Sequence, residues 1–177
     1  MADKLGRILA VDDNEDILFS LKLLLKNQVE KIDTEVDPNQ IPALLAKQDY
    51  DVILLDMNFT KDAISGHEGF DWLKRILEID PEAVVLFITA YGDTVKAVKA
   101  IKAGATDFIL KPWQNEKIMA TIGSAVQLKR SKVKAGVLIE KQQSLSAAID
   151  QPFKDFIGVS PGMKSVLDVS CLKRNER

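Results

Sequence analysis

The chain has 177 residues, 46% of them apolar and 28% charged, with a formal net charge of -2 at pH 7. This is the composition of a soluble globular protein with room for one good core and an extension, and so small a net charge gives no global argument for nucleic acid or a membrane surface. The N-terminal MADKLGR carries no apolar signal core, and no apolar run approaches the ~18 residues a membrane span needs. The single cysteine, Cys171, has no second thiol to pair with, so a reducing cytoplasm is the expected compartment.

Short apolar runs alternate with amphipathic segments along the chain. RILAV (7–11) reads as a buried strand. Residues 15–26 follow with Ile17, Leu18, Leu21, Leu24 and Leu25 on one helical face. Asn14 suits the N-cap, and Glu15 and Asp16 suit the positive end of that helix. DTEV (33–36) is a weak strand. Residues 38–47 are predicted helical with Ile41, Leu44 and Leu45 inward. DVILLD (51–56) is a buried strand, and residues 70–79 a helix through Phe70, Leu73, Ile76 and Leu77. AVVLFIT (83–89) is the strongest strand. Residues 93–103 form a helix of Val95, Ala97, Val98 and Ile101, with Gly104 where a left-handed C-terminal cap is wanted. DFIL (107–110) is the last strand, and a final helix starts near Asn115.

Five strand–helix units in alternation, with strands that are unbroken apolar runs, predict a parallel sheet covered by helices on both faces. Ligands in such sheets lie beyond the carboxyl ends of the strands. The residues there are Asp12 and Asp13 after the first strand, Asp56 after the third, Thr89 at the fourth, and Lys111-Pro112 at the fifth. Three carboxylates brought together repel: two unit charges at ~4 Å interact by roughly 1 to 4 kcal/mol. A hard divalent cation resolves this, and Mg²⁺ favours a few carboxylates plus a phosphate. Lys111 supplies a point charge for a phosphoryl oxygen, Thr89 a hydroxyl donor, and Asp56 a carboxylate able to accept a phosphoryl group. Taken singly, each has a plainer reading: Asp12 and Asp13 as a helix start, Thr89 as a β-former, Lys111 as a solvated charge.

With ILAVDDN (8–14), VILLDMN (52–58), FITAYGD (87–93) and DFILKPW (107–113), the sequence resembles the receiver domain of bacterial two-component response regulators over about residues 5 to 130. The resemblance implies a flavodoxin-like (CheY-like) five-stranded parallel sheet of order 2-1-3-4-5, with helices on both faces and a C-terminal linker helix beyond. It implies that Asp56 is phosphorylated by a partner histidine kinase, and that the chain is a phosphorylation-dependent signalling switch. Mg²⁺ would be held by Asp13, Asp56 and the backbone carbonyl of Asn58, with Asp12 contributing through water. Thr89 and Lys111 would contact the phosphoryl group. The Lys111-Pro112 bond would be cis. Phe108 falls at the family's switch aromatic, with core packing as the plainer role.

Two features depart from the family. Thr60 stands where a proline is usual, and the matching glycine is Gly69, so the loop NFTKDAISGHEG (58–69) is about five residues longer. His67 within it is read as solvated and not as a metal ligand. Tyr91, with Asn58, borders the route of an attacking water, and its ring predicts a slowly hydrolysed phosphoryl group.

From Asn115 a helical pattern runs to about residue 149. The basic cluster KRSKVK (129–134) lacks the aromatics of a nucleic-acid site. A solvated linker helix and a dimerising coiled coil are both open; the coiled-coil seam would contain Lys129, Gly136 and Glu140. FKDFIGVSPGMKSVLDV (153–169) is similar to the opening of the AAA+ ATPase domain of sigma-54-dependent activators of the nitrogen-regulation type; an ordinary turn at Ser160–Gly162 is the alternative. The expected organisation is a receiver over 1–130, a linker helix over 131–152, and the truncated start of an AAA+ domain over 153–177, poorly ordered without its remainder. This reads as the N-terminal fragment of a transcriptional activator, dimerising through the fourth helix, fifth strand and fifth helix or through the linker. A full-length relative would contact sigma-54 RNA polymerase and DNA; the fragment would not, and no membrane partner is expected. No phosphate-cradling Gly-Lys-Ser/Thr loop occurs, so the chain is expected to be no enzyme beyond its own phosphorylation and dephosphorylation. A haloacid-dehalogenase-type phosphohydrolase needs an acid two residues after its nucleophile, where Asn14 stands. A receiver that only docks, without phosphorylation, is the third reading.

Overall fold

A computed structural model of the chain describes residues 4–59, 67–90 and 94–157. Its elements are β1 (Leu5–Val11), α1 (Glu15–Leu25), β2 (Val29–Glu35), a 3-10 turn (Pro38–Gln40), α2 (Ile41–Lys47), β3 (Val52–Asp56), α3 (His67–Ile79), β4 (Val85–Ala90), α4 (Thr94–Lys102), β5 (Asp107–Lys111) and α5 (Asn115–Ile157). The strands form one sheet of order β2-β1-β3-β4-β5, and every pairing is parallel. The chain divides into two compact units at Lys132–Val133; the sheet belongs to the first.

Alternation along the strands builds two separate cores. Ile8, Ala10, Leu54, Leu86 and Ile88 face α1 and the first turns of α5, where Leu18, Leu21, Leu25, Ile118, Ile122 and Val126 are buried. Leu9, Val11, Ile53, Leu55 and Phe87 face the opposite way, against Ile41, Leu73, Ile76 and Ala100. The central strand β3 is buried at all five positions, which is why its sequence carries no alternation.

Local signals set the helix ends. The Asn14 side chain accepts the Asp16 and Ile17 amides at 2.9 and 3.4 Å, satisfying donors that the first turn leaves open. After α4, Gly104 takes φ 109°. The Ala105 amide then returns to the Ala100 carbonyl at 3.0 Å, the longer bond of a Schellman cap.

Some boundaries differ from the sequence reading. β2 begins at Val29 and not at residue 33: it is an edge strand, only Val29 of its seven residues is fully buried, and Glu30, Lys31 and Asp33 break any apolar run. α3 begins at His67, three residues before the expected 70. On α4, Val98 and Ile101 are exposed, and Ala100 is buried. α5 continues past the expected residue 149 to Ile157. The ATPase-like stretch from residue 158 onward lies outside the described residues.

Candidate functional site

The carboxyl ends of the three central strands and of β5 gather one compact group. Asp12 follows β1 and is 1% exposed; Asp56 ends β3 and is 5% exposed. Asp13, one residue on, is exposed. Asp12, Asp13 and Asp56 each offer an oxygen within 4.8 Å of the others. From the far side of the sheet Lys111, the last residue of β5, reaches both buried acids: its Nζ lies 2.6 Å from Asp12 Oδ2 and 2.6 Å from Asp56 Oδ1. The Lys111-Pro112 peptide that follows is cis.

Backbone amides hold the two buried carboxylates in place. Asp12 Oδ1 accepts the Asn14 amide at 3.0 Å, and Asp56 Oδ2 accepts the Asn58 amide at 2.8 Å. Gly69, early in α3, permits the tight packing behind Asp56: a Cβ there would lie 2.6 Å from the Met57 carbonyl oxygen and 2.9 Å from the Met57 Cα.

The electrostatics tie the Asp56 carboxyl to the Lys111 ammonium. Burial raises the Asp56 carboxyl and the Asp12 charge adds to the rise; the Lys111 ammonium and the Asn58 amide oppose it, and the result is about 6. Burial alone would lower Lys111, but the facing charges and hydrogen bonds of Asp56 and Asp12 outweigh it, and the ammonium is held above its ordinary value. The one ammonium bridges the two buried carboxylates, and the Asp13 carboxylate lies beside them. Two further polar atoms, Asn58 Oδ1 and Thr89 Oγ1, are buried with no hydrogen-bond partner among the described residues. Three carboxylates so close together, with an unpartnered hydroxyl and amide oxygen nearby, form an environment that suits a hard divalent cation and an incoming phosphoryl group.

Thr89 lies on β4 and is 1% exposed. It pairs in register with Leu110, while Phe108 pairs with Phe87 three residues up β5 from Lys111. Phe108 is half-buried against the core on the α2–α4 face. Tyr91 and most of the long 58–69 loop lie outside the described residues. The sequence reading passed over Glu68. Its Oε2 is buried without a partner among the described residues, and it lines a small recess with Asp13 and Phe59. The only signal for it was its place one residue before Gly69.

The profile of the response regulator receiver domain family matches residues 8–123. The DNA-binding transcriptional regulator NtrC of Salmonella typhimurium is 28% identical over 164 residues, which cover 93% of this chain and 32% of that protein. The chemotaxis protein CheY of Thermotoga maritima is 30% identical over 116 residues, 66% of this chain and 93% of that one. Among solved structures, the N-terminal signal receiver domain of a Bacteroides fragilis two-component response regulator superposes with a TM-score of 0.64 at 41% identity, covering 70% of this chain and 98% of that one. The chain spans about a third of the length of its NtrC and alginate-regulator relatives. It is a phosphorylation-dependent signalling module, and it belongs to the response regulator receiver domain family.

Proposed function

We propose that Asp56 is the phosphoryl acceptor of this receiver and that a sensor histidine kinase is its donor. The observation that carries the reading is the buried Asp56 carboxylate, held by Lys111 at 2.6 Å and ringed by Asp12 and Asp13 within 4.8 Å. A carboxylate oxygen of Asp56 bonds to phosphorus as the bond from phosphorus to the donor's imidazole nitrogen breaks, and the imidazole leaves with the electron pair. Lys111, already between two carboxylates, turns its ammonium to the added oxygens. The Thr89 hydroxyl, which has no partner among the described residues, donates to them as well. Asp13, Asp56 and the Asn58 carbonyl, with Asp12 assisting, would hold Mg²⁺. That ion supplies the positive charge that lets two acids face a phosphoryl group.

Phosphorylation replaces one negative charge by about -1.5 to -2. Movement of Thr89 toward the new oxygens vacates space beside the Phe108 layer, and the population of the α4–β5–α5 face shifts. Two observations support dimerisation through that face. Val98 and Ile101 stand exposed on α4, and Phe108, Leu110, Pro112, Trp113 and Lys117 line a groove of about 220 Å³ between β5 and the start of α5. The apolar residues Val133, Val137, Leu138 and Ile139, exposed along α5, support the linker as a second contact. Similarity to NtrC over 93% of the chain supports the organisation of receiver 1–130, linker 131–152 and opening of an ATPase domain 153–177. It supports a role in sigma-54-dependent transcription and a cytoplasmic setting.

Intact mass before and after acetyl phosphate with Mg²⁺ tests the assignment. Wild type gains one phosphoryl group and Asp56→Asn gains none; equal labelling of the two proteins removes Asp56 as the acceptor. Asp13→Ala lowers Mg²⁺ affinity at least tenfold by tryptophan quenching or calorimetry.

A further inference from the structure

The sheet ends at β2, and the outer side of that strand is an open groove. It has a volume of about 330 Å³ and runs over the strand edge from Lys22 on α1, past Ile32 and Thr34, to Lys47 and Tyr50. The backbone there is oriented for pairing. The Asp12 amide donates to the Glu35 carbonyl at 3.2 Å, so the peptide groups of Glu35 face β1. In a parallel ladder the direction alternates residue by residue, which turns Lys31 and Asp33 inward and leaves the N–H and C=O of Ile32 and Thr34 pointing to the open edge.

The rim is basic. Lys22, Lys31 and Lys47 line the groove with a single acid, Asp33. That acid is already committed: Lys31 lies 2.9 Å from it, the Tyr50 hydroxyl donates to it at 2.9 Å, and the Gln48 amide donates as well. Lys22 and Lys47 are exposed and have no carboxylate partner among the described residues. Free backbone donors and acceptors between unmatched ammonium groups describe a site for an extended chain bearing carboxylates.

We propose that the β2 edge binds an acidic peptide segment of another protein as a sixth strand, held by the Ile32 and Thr34 backbone and by Lys22 and Lys47. A second copy of this chain would bring lysine rim against lysine rim and is disfavoured. A nucleic acid would satisfy the lysines but not the peptide ladder. The surface is separate from the Asp56 cluster, so its occupancy does not depend on phosphorylation chemistry.

The test is a ¹H–¹⁵N titration of the full chain with an eight-residue peptide of alternating Val and Glu, alongside three controls. One control replaces Glu by Lys, one keeps the sequence but N-methylates the amides on one edge, and one is a short oligothymidylate. The expected result is saturable shifts centred on the Ile32 and Thr34 amides with the acidic peptide alone, and at least tenfold weaker binding to K22E/K47E. Both positions are exposed on helices, so the variant's unperturbed spectrum serves as its folding check. Thr34→Pro, which removes an outward N–H that the sheet does not use, should also abolish binding. Absence of shifts at millimolar peptide overturns the proposal. So does equal binding of the N-methylated peptide or of the oligothymidylate, because each would reduce the site to a patch of charge.

Discussion

Replacing Gly69 with alanine would push a methyl group into the backbone that carries Asp56. The new Cβ would sit 2.6 Å from the Met57 carbonyl oxygen, 0.8 Å inside the 3.4 Å at which ordinary contact begins, with the Met57 Cα at 2.9 Å. No flexible side chain can yield, because both atoms are main chain. Either α3 moves outward or Met57 moves toward the sheet, where it is fully buried. Overpacking of this kind costs about 1 to 3 kcal/mol, which for a domain of this size lowers Tm by about 3 to 12 °C. Met57 lies between Asp56 and Asn58, so the 2.8 Å bond from the Asn58 amide to Asp56 is displaced as well. Thermal unfolding by circular dichroism, paired with the rate of labelling by acetyl phosphate, reads both effects. A Gly69→Ala protein with Tm within ~1 °C of wild type and an unchanged labelling rate would show that the α3–Met57 contact does not constrain the site.

Lys111→Met leaves the buried Asp12 and Asp56 facing each other without a counter-charge. At pH 8 without divalent cation it should cost about 3 to 5 kcal/mol by urea denaturation. Because the folded Asp56 already titrates near 6, above its ordinary 3.8, protonation favours the folded state as pH falls, and the loss should shrink at pH 5; equal losses at both pH values would contradict this. Tyr50, desolvated by burial and bonded to Asp33, is pushed up to about 12 from 10.0. The folded chain therefore holds that proton longer than the unfolded chain, and stability should decline as pH rises from 10 to 12. Tyr50→Phe should lose about 1 kcal/mol at pH 7 and flatten the alkaline decline; an unaltered decline would assign it to other groups. Asn14→Ala should lower stability by about 1 kcal/mol through the lost N-cap, with Asn14→Asp close to wild type; thermal melts of the two variants separate a cap from a general surface effect.

What could be read in advance follows the physics of each element. The β3 and β4 strands and the Asn14 and Gly104 caps are local signals; the caps fall where the residues placed them, β3 starts one residue later than expected and β4 two. The strand-end acids were legible for the same reason: a parallel sheet sends every carboxyl end to one side. The strand order came from resemblance to the receiver family and not from any residue. β2 was cut short because an edge strand has no apolar run to announce it. The exposure of Val98 and Ile101 was missed because an apolar stripe does not say which neighbour covers it. Glu68 and the lysines around β2 depend on contacts between distant segments, such as Lys31 with Gln48 at 3.0 Å, and no window of sequence contains both partners.

The sheet acts as a partition between two hydrophobic compartments that share backbone but few side chains. Phe108 belongs with α2, α3 and α4, whereas α1 and the first turns of α5 are anchored on the other side. One half of the domain can therefore repack while its opposite number stays crystalline in order. Substitutions such as Leu21→Ala and Ile76→Ala, one in each chamber, should add in their cost, and sequence drift in one chamber should proceed without compensation in the other.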